Sequence, residues 1–152
     1  MYPVYKSLSK GNWSLNRNLF PDCAIHYDLE NINVPKIKGS LIFVFKDLID
    51  LKRDVDTQTC ADSIWLCDSS EEPVTIAISK GLGRDVPKNL HEMQERWRNS
   101  GGFVGVPLEQ MDSYDKRRAI YGVPNIRFVK LLASGNEITE FCLSRTPTVL
   151  AR

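Results

Sequence analysis

The chain predicts an α+β fold in which a mainly antiparallel sheet of about five to seven strands carries two or three helices. Three observations lead there. Short β-rich runs outnumber helical stretches along the 152 residues. Neighbouring runs are joined by polar or glycine-containing connectors, which suits hairpins better than strand-helix-strand crossovers. One stretch, from Asp85 to Gly101-Gly102, carries concordant start, stripe and stop signals of a helix.

Val4 to Leu8 opens the order of elements as a short candidate strand. In the next run Cys23, Ile25, Tyr27 and Leu29 alternate with Ala24, His26, Asp28 and Glu30, the period of a half-buried strand. Ile37 to Phe45 follows as a strand broken or bulged at Gly39, and its near-continuous apolar end predicts cover on both faces and a central place in the sheet. Leu48, Leu51 and Val55 then fall at helical spacing from about Lys46 to Asp56, with Lys46–Asp50 and Lys52–Asp56 as i,i+4 pairs.

Ser63 to Cys67 and Val74 to Ser79 read as two strands of a hairpin joined by Asp68-Ser69-Ser70-Glu71-Glu72-Pro73. The helix after them has Asp85 as N-cap, Pro87 in its first turn and a stripe of Val86, Leu90, Met93 and Trp97. Residues 107–121 give only a ragged stripe of Leu108, Met111, Ala119 and Ile120, and do not decide between a short helix capped by Asp112 and a loop. Asn125 to Leu132 and Glu137 to Ser144 are β-rich runs around Ala133-Ser134-Gly135-Asn136, which predicts a closing hairpin.

At this length the expectation is one domain over residues 1–152, with a core large enough to need no disulfide staples. Twenty basic and nineteen acidic residues leave no global field that favours nucleic acid or an anionic membrane. The balance tilts along the chain, from eight basic and eleven acidic residues in 1–76 to twelve and eight in 77–152. The longest aliphatic and aromatic run, Leu41 to Phe45, is too short to cross a bilayer, and the first residues lack the apolar centre of a signal peptide. A cytoplasmic protein without membrane association is the expectation. Cys23, Cys60, Cys67 and Cys142 form no Cys-x-x-Cys pair and read as reduced core thiols.

Four groups could carry chemistry. Lys80-Gly81-Leu82-Gly83-Arg84 follows a strand and opens a helix, where outward backbone amides and the helix dipole stabilise an anion; Lys80, Arg84 and Lys88 add positive charge around Gly81 and Gly83. The third glycine of a dinucleotide loop and the Gly-Lys-Ser/Thr of a phosphate loop are both absent, so a connector needing positive φ angles competes with phosphate binding. His26, Asp28 and Glu30 share one face of their expected strand, about 7 Å apart. A histidine beside carboxylates can act as a base or begin a metal site, and a strand face turned to water looks the same.

Asp47, Asp50, Asp54 and Asp56 match no calcium-loop spacing, and each has a Lys or Arg nearby in sequence, which favours a solvated helix face over a cation site. Lys116-Arg117-Arg118 between Tyr114 and Tyr121 mixes cations with rings as single-stranded nucleic-acid binders do, in miniature. No metal site, cofactor or nucleophilic motif is indicated, and no catalytic residue is assigned.

Trp65 sets the leading functional expectation. If Ile64 and Leu66 face one side of their strand, Trp65 and Cys67 face the other, and apolar side chains on both faces require helices or a partner as cover. The sequence therefore favours a binding module that self-associates or docks on another protein, with Trp65 and Cys67 as interface candidates. The alternative is a small enzyme for group transfer or hydrolysis on a nucleotide or nucleic acid, with phosphate at Lys80–Arg84 and an acid such as Asp28, Glu30 or Glu109. A binder of a small apolar molecule is the third reading.

Overall fold

Strand β1 (Tyr2–Leu8) sits between two antiparallel partners, and the rest of the fold is arranged around it. The structure, a computed structural model, describes residues 1–15, 24–36, 41–56, 61–75 and 120–144. Along them follow β2 (Ile42–Phe45), α1 (Leu48–Asp56), β3 (Ser63–Ser69), β4 (Val74–Thr75), β5 (Ile120–Val123), β6 (Arg127–Ser134) and α2 (Glu137–Leu143). The six strands form one sheet in the order β4-β5-β2-β1-β3-β6, and every neighbouring pair is antiparallel. The fold is therefore α+β with an antiparallel sheet. No helix among the described residues is long and apolar enough to cross a membrane.

Strand alternation sorts the apolar side chains onto two faces. Val4, Leu8, Ile42, Val44, Cys67, Val123 and Phe128 belong to one core, with Tyr27 and Ile126. Phe45, Ile64 and Ala133 belong to the other, with Leu51 and Val55 of α1 and Ile138 of α2. Consecutive residues thus feed opposite cores, as Val44 and Phe45 do. Strand β2 lies third in the order and is covered on both faces, as its continuous apolar run predicts.

Among the described residues, two short helices cover the Ile64 face of the sheet. α1 starts at Leu48, two residues later than its periodicity suggested, and the amides of Asp50 and Leu51 donate to the Asp47 carbonyl. In place of the expected Lys46–Asp50 pair, each residue has another neighbour. Asp50 lies 3.9 Å from Arg53, and Lys46 sits over the Tyr121 ring. Lys52 turns inward, almost fully buried, donating from Nζ to the Ser144 carbonyl at 2.9 Å and lying 4.5 Å from the Phe141 ring centroid. A cation there complements the carbonyl end of α2.

Three expected elements are corrected. Glu137 to Ser144 is mainly a helix, not the second strand of a hairpin, because Ile138, Phe141 and Cys142 fall at i, i+3 and i+4 and meet α1 in one core. Gly135, with φ of +54°, makes the turn between β6 and α2. Strands β3 and β4 are not a hairpin: β3 pairs with β1 and β6, whereas β4 pairs with β5 at the far edge. The polar connector is held instead by Asn125, whose amide donates to Ser70 Oγ at 2.7 Å and accepts from the Ser70 amide at 3.2 Å. Ile120 and Tyr121 belong to β5 and not to a helix.

The third correction concerns residues 24–36, which contain isolated bridges but no ladder strand. Burial does alternate from Ile25 to Glu30, so the periodicity is genuine, but local side-chain hydrogen bonds fold the segment into turns. Its start is pinned to a turn after β1. Asn12 donates to the Ser9 carbonyl at 3.1 Å, and Gly11 at the third position has a φ of +80° that favours glycine. Beyond the turn, Tyr27 donates to the Asn12 carbonyl at 2.8 Å and Ser14 to that of Ile25 at 3.0 Å.

The strand expected at 37–40, the remainder of Val74 to Ser79, the helix from Asp85, Trp97, Cys23, Cys60 and residues 107–119 lie outside the described residues.

Ile64 has no accessible surface and packs beneath both helices. Ile64→Ala is expected to lower unfolding stability by about 2–5 kcal/mol. Urea denaturation measures it, and a loss well below 1 kcal/mol would contradict the packing.

Candidate interaction surface

Cys67 lies opposite Val4 on one side and Phe128 on the other, and it has no accessible surface. It is a core thiol and offers nothing to a docking partner. Burial pushes its pKa from 9.0 up to about 12, with Lys6 acting in the opposite direction and Asp68 adding to the rise.

Trp65 is half-buried, opposite Lys6 and Leu131. Its ring meets Phe128 edge-on at 5.3 Å, and Phe128 meets Tyr27 the same way at 5.6 Å. The indole Nε1 donates to Ser63 Oγ at 2.9 Å. Much of the cover that this face requires thus comes from Tyr27, Ile25 and Leu29 of the same chain. Periodicity could not reveal this, because the covering segment is irregular. Lys6 fits beside it by donating from Nζ to the Phe43 carbonyl at 2.7 Å, 5.5 Å from the Tyr27 ring centroid. Burial also raises the Tyr27 hydroxyl pKa, against a lowering hydrogen bond with Ser14.

His26, Asp28 and Glu30 are exposed, as alternation predicts, but they do not line up on a ladder strand. The His26 ring stacks on Trp13 at 4.7 Å and 21°. Asp28 is committed to its own turn: Oδ1 accepts from the amides of Glu30 at 2.9 Å and Asn31 at 3.3 Å, and Oδ2 accepts from Asn31 Nδ2 at 2.8 Å. These bonds, the Asn31 side chain first, hold its carboxyl below the ordinary carboxylate value. The buried Asn33 closes the turn, accepting from the Asp28 amide at 2.7 Å and donating to the carbonyls of Asp28 and Asn31 at 2.8 and 3.1 Å.

Asp47 and Asp50 lie at the start of α1, where burial first and Asp47 second raise the Asp50 pKa, with Arg53 opposing. Among the described residues no three His, Cys, Asp or Glu side chains are grouped to hold a metal. Lys80, Gly81, Gly83, Arg84, Lys88, Glu109 and Lys116-Arg117-Arg118 lie outside the described residues.

Among the described residues, one stretch of exposed apolar side chains lies on β6. This strand is at one end of the sheet order and, among the described residues, pairs in a ladder only with β3. Two register shifts leave Val129 and Leu132 without ladder partners between Phe128 and Lys130 and between Leu131 and Ala133. Such bulges bend a strand and re-aim its side chains. Val129 is 53% and Leu131 44% exposed, with Arg127 and Lys130 exposed beside them.

Ile32 and Val34 are exposed too, on either side of Asn33, whose backbone exchanges hydrogen bonds of 2.9 and 3.1 Å with Ile126 just before β6. At the other end, α2 exposes Glu137, Thr139, Glu140 and Leu143, the last by 64%. The sequence reading missed this surface. The adjacent Val129-Lys130-Leu131 looks like an ordinary strand until the bulges are known, and the helical spacing after Gly135 was the available clue to α2.

No protein-family model, curated protein or solved structure matches the chain.

A thiol whose folded pKa is raised favours the native state below its unfolded value near 9, and that contribution is lost as pH rises toward about 12. The thermal midpoint should therefore fall between pH 9 and 12, and Cys67→Ala should fall less steeply, with Tyr27 contributing to the remaining slope. Equal alkaline slopes for the two proteins would contradict the assignment.

Proposed function

We propose that this chain is a binding module that associates with a second copy of itself through the exposed side of β6 and its neighbours. The observation that carries this reading is the exposure of Val129 and Leu131 in the middle of a sheet-edge strand. Contiguous exposed apolar groups rimmed by charge are characteristic of association surfaces. Two features support a second copy as the occupant. A formal net charge of +1 sets up little repulsion between copies. The bulges interrupt the strand edge, which disfavours open-ended strand addition and suits a closed assembly.

Trp65 stands opposite Leu131 and lies at the margin of the proposed contact. The nucleotide or nucleic-acid reading rests on Lys80 to Arg84, outside the described residues, and gains no observation in its favour.

Native mass spectrometry of the full chain should give a dimer. Leu131→Asp should raise the dissociation constant by roughly tenfold or more, because a carboxylate is placed in an apolar contact. Val129→Asp should act in the same direction. Circular dichroism confirms that the variants remain folded, and dimers undiminished in both would overturn the proposal.

A further inference from the structure

The two elements beside the exposed apolar groups carry opposite charge. On β6, Arg127 and Lys130, opposite Asp68 and Leu66, are exposed at the edge of one sheet face, and Leu131, opposite Trp65, at the edge of the other, with Val129 in the bulge between; α2 exposes Glu137 and Glu140 on the side that carries Leu143. α2 has no basic residue in its last turn. Among the described residues none of these four charges forms an ion pair within the chain. A two-residue turn, Gly135-Asn136, places a basic apolar strand and an acidic apolar helix next to each other.

Resting on the self-association proposed above, we infer that each copy docks its helix α2 against β6 of the other. Arg127 and Lys130 of one copy then meet Glu137 and Glu140 of its partner, and Val129 and Leu131 meet Leu143. Both surfaces are present on every copy, so a two-fold axis satisfies all of these contacts twice and closes the assembly at two. The bulges at Val129 and Leu132 break the ladder that direct strand-to-strand pairing needs, which leaves a helix as the better match for this edge.

The spacing is compatible. Glu137 and Glu140 are one helical turn apart, about 5–6 Å, and three residue steps along a strand carry Arg127 at most about 10 Å from Lys130, a difference that long cationic side chains absorb. Complementary charges of this kind select the partner and its orientation, and the apolar contact supplies most of the affinity.

The test uses full-length protein and two double variants, Arg127→Glu with Lys130→Glu and Glu137→Lys with Glu140→Lys. Each variant alone juxtaposes like charges in both halves of the contact. Native mass spectrometry should show it largely monomeric where the wild type is dimeric, with a dissociation constant raised by roughly tenfold or more. An equimolar mixture should recover a dimer of mixed mass, because the all-acidic surface of one variant meets the all-basic surface of the other. Circular dichroism spectra that match the wild type's, with a cooperative urea transition in each variant, confirm folding.

Dimers that persist in both variants, or monomeric variants that fail to form the mixed dimer, would overturn the β6–α2 pairing while leaving self-association in place. A wild type that is monomeric at every concentration would overturn both.

Discussion

Seven successive residue pairs between β1 and β3, from Tyr2 with Ser69 to Leu8 with Ser63, are the constraint on which the rest of the structure depends. Because side chains alternate across a strand, this register sends Val4 and Cys67 to one core and Tyr5 and Ile64 to the other. A one-residue slip would exchange the two sets and leave each opposite the wrong cover. β2 on one flank and β6 on the other inherit their faces from this pair.

The two cores are closed by different means. On the Ile64 side, α1 and α2 supply Leu51, Val55 and Ile138, and Lys52 ties the helices together by reaching the Ser144 carbonyl. On the Cys67 side the cover is the irregular segment around Tyr27, held by backbone hydrogen bonds to Asn12 and Ser14 and by the side-chain turn of Asp28 and Asn33. Asp28, one of the carboxylates considered for chemistry, is thereby occupied, together with Asn33, in holding the lid of a core. Among the described residues, the bulged end of the sheet leaves Val129 and Leu131 exposed.

The sequence was most legible where one physical signal dominates. The continuous apolar run of β2 announced a strand covered on both faces, and the Leu48-Leu51-Val55 stripe announced α1 to within two residues. Legibility failed where local and long-range preferences compete. Ile138, Thr139 and Phe141 favour strands intrinsically, but the spacing of Ile138, Phe141 and Cys142 buries a helical face against α1. Residues 25–30 have strand periodicity, yet Asp28 and Asn33 bind nearby backbone and divert the chain into turns. The connector after β3 resembled a hairpin because nothing local records that β1 and β6 already occupy both edges of that strand. Trp65 was recognisable as a side chain in need of cover, whereas the source of that cover lay forty residues away in a segment without a regular pattern.

The central claim is that both cores are closed within one chain and that association is confined to β6 and α2. Amide hydrogen exchange at two protein concentrations, one well above and one well below the dimer dissociation constant, tests it most directly. Dilution should lower protection in Arg127–Ser134 and Glu137–Leu143 by more than the uniform loss that dissociation imposes on amides exchanging through global unfolding, those of β1 and β3 among them. A loss greatest in β1 or β3, or concentration-independent exchange throughout, would contradict this localisation.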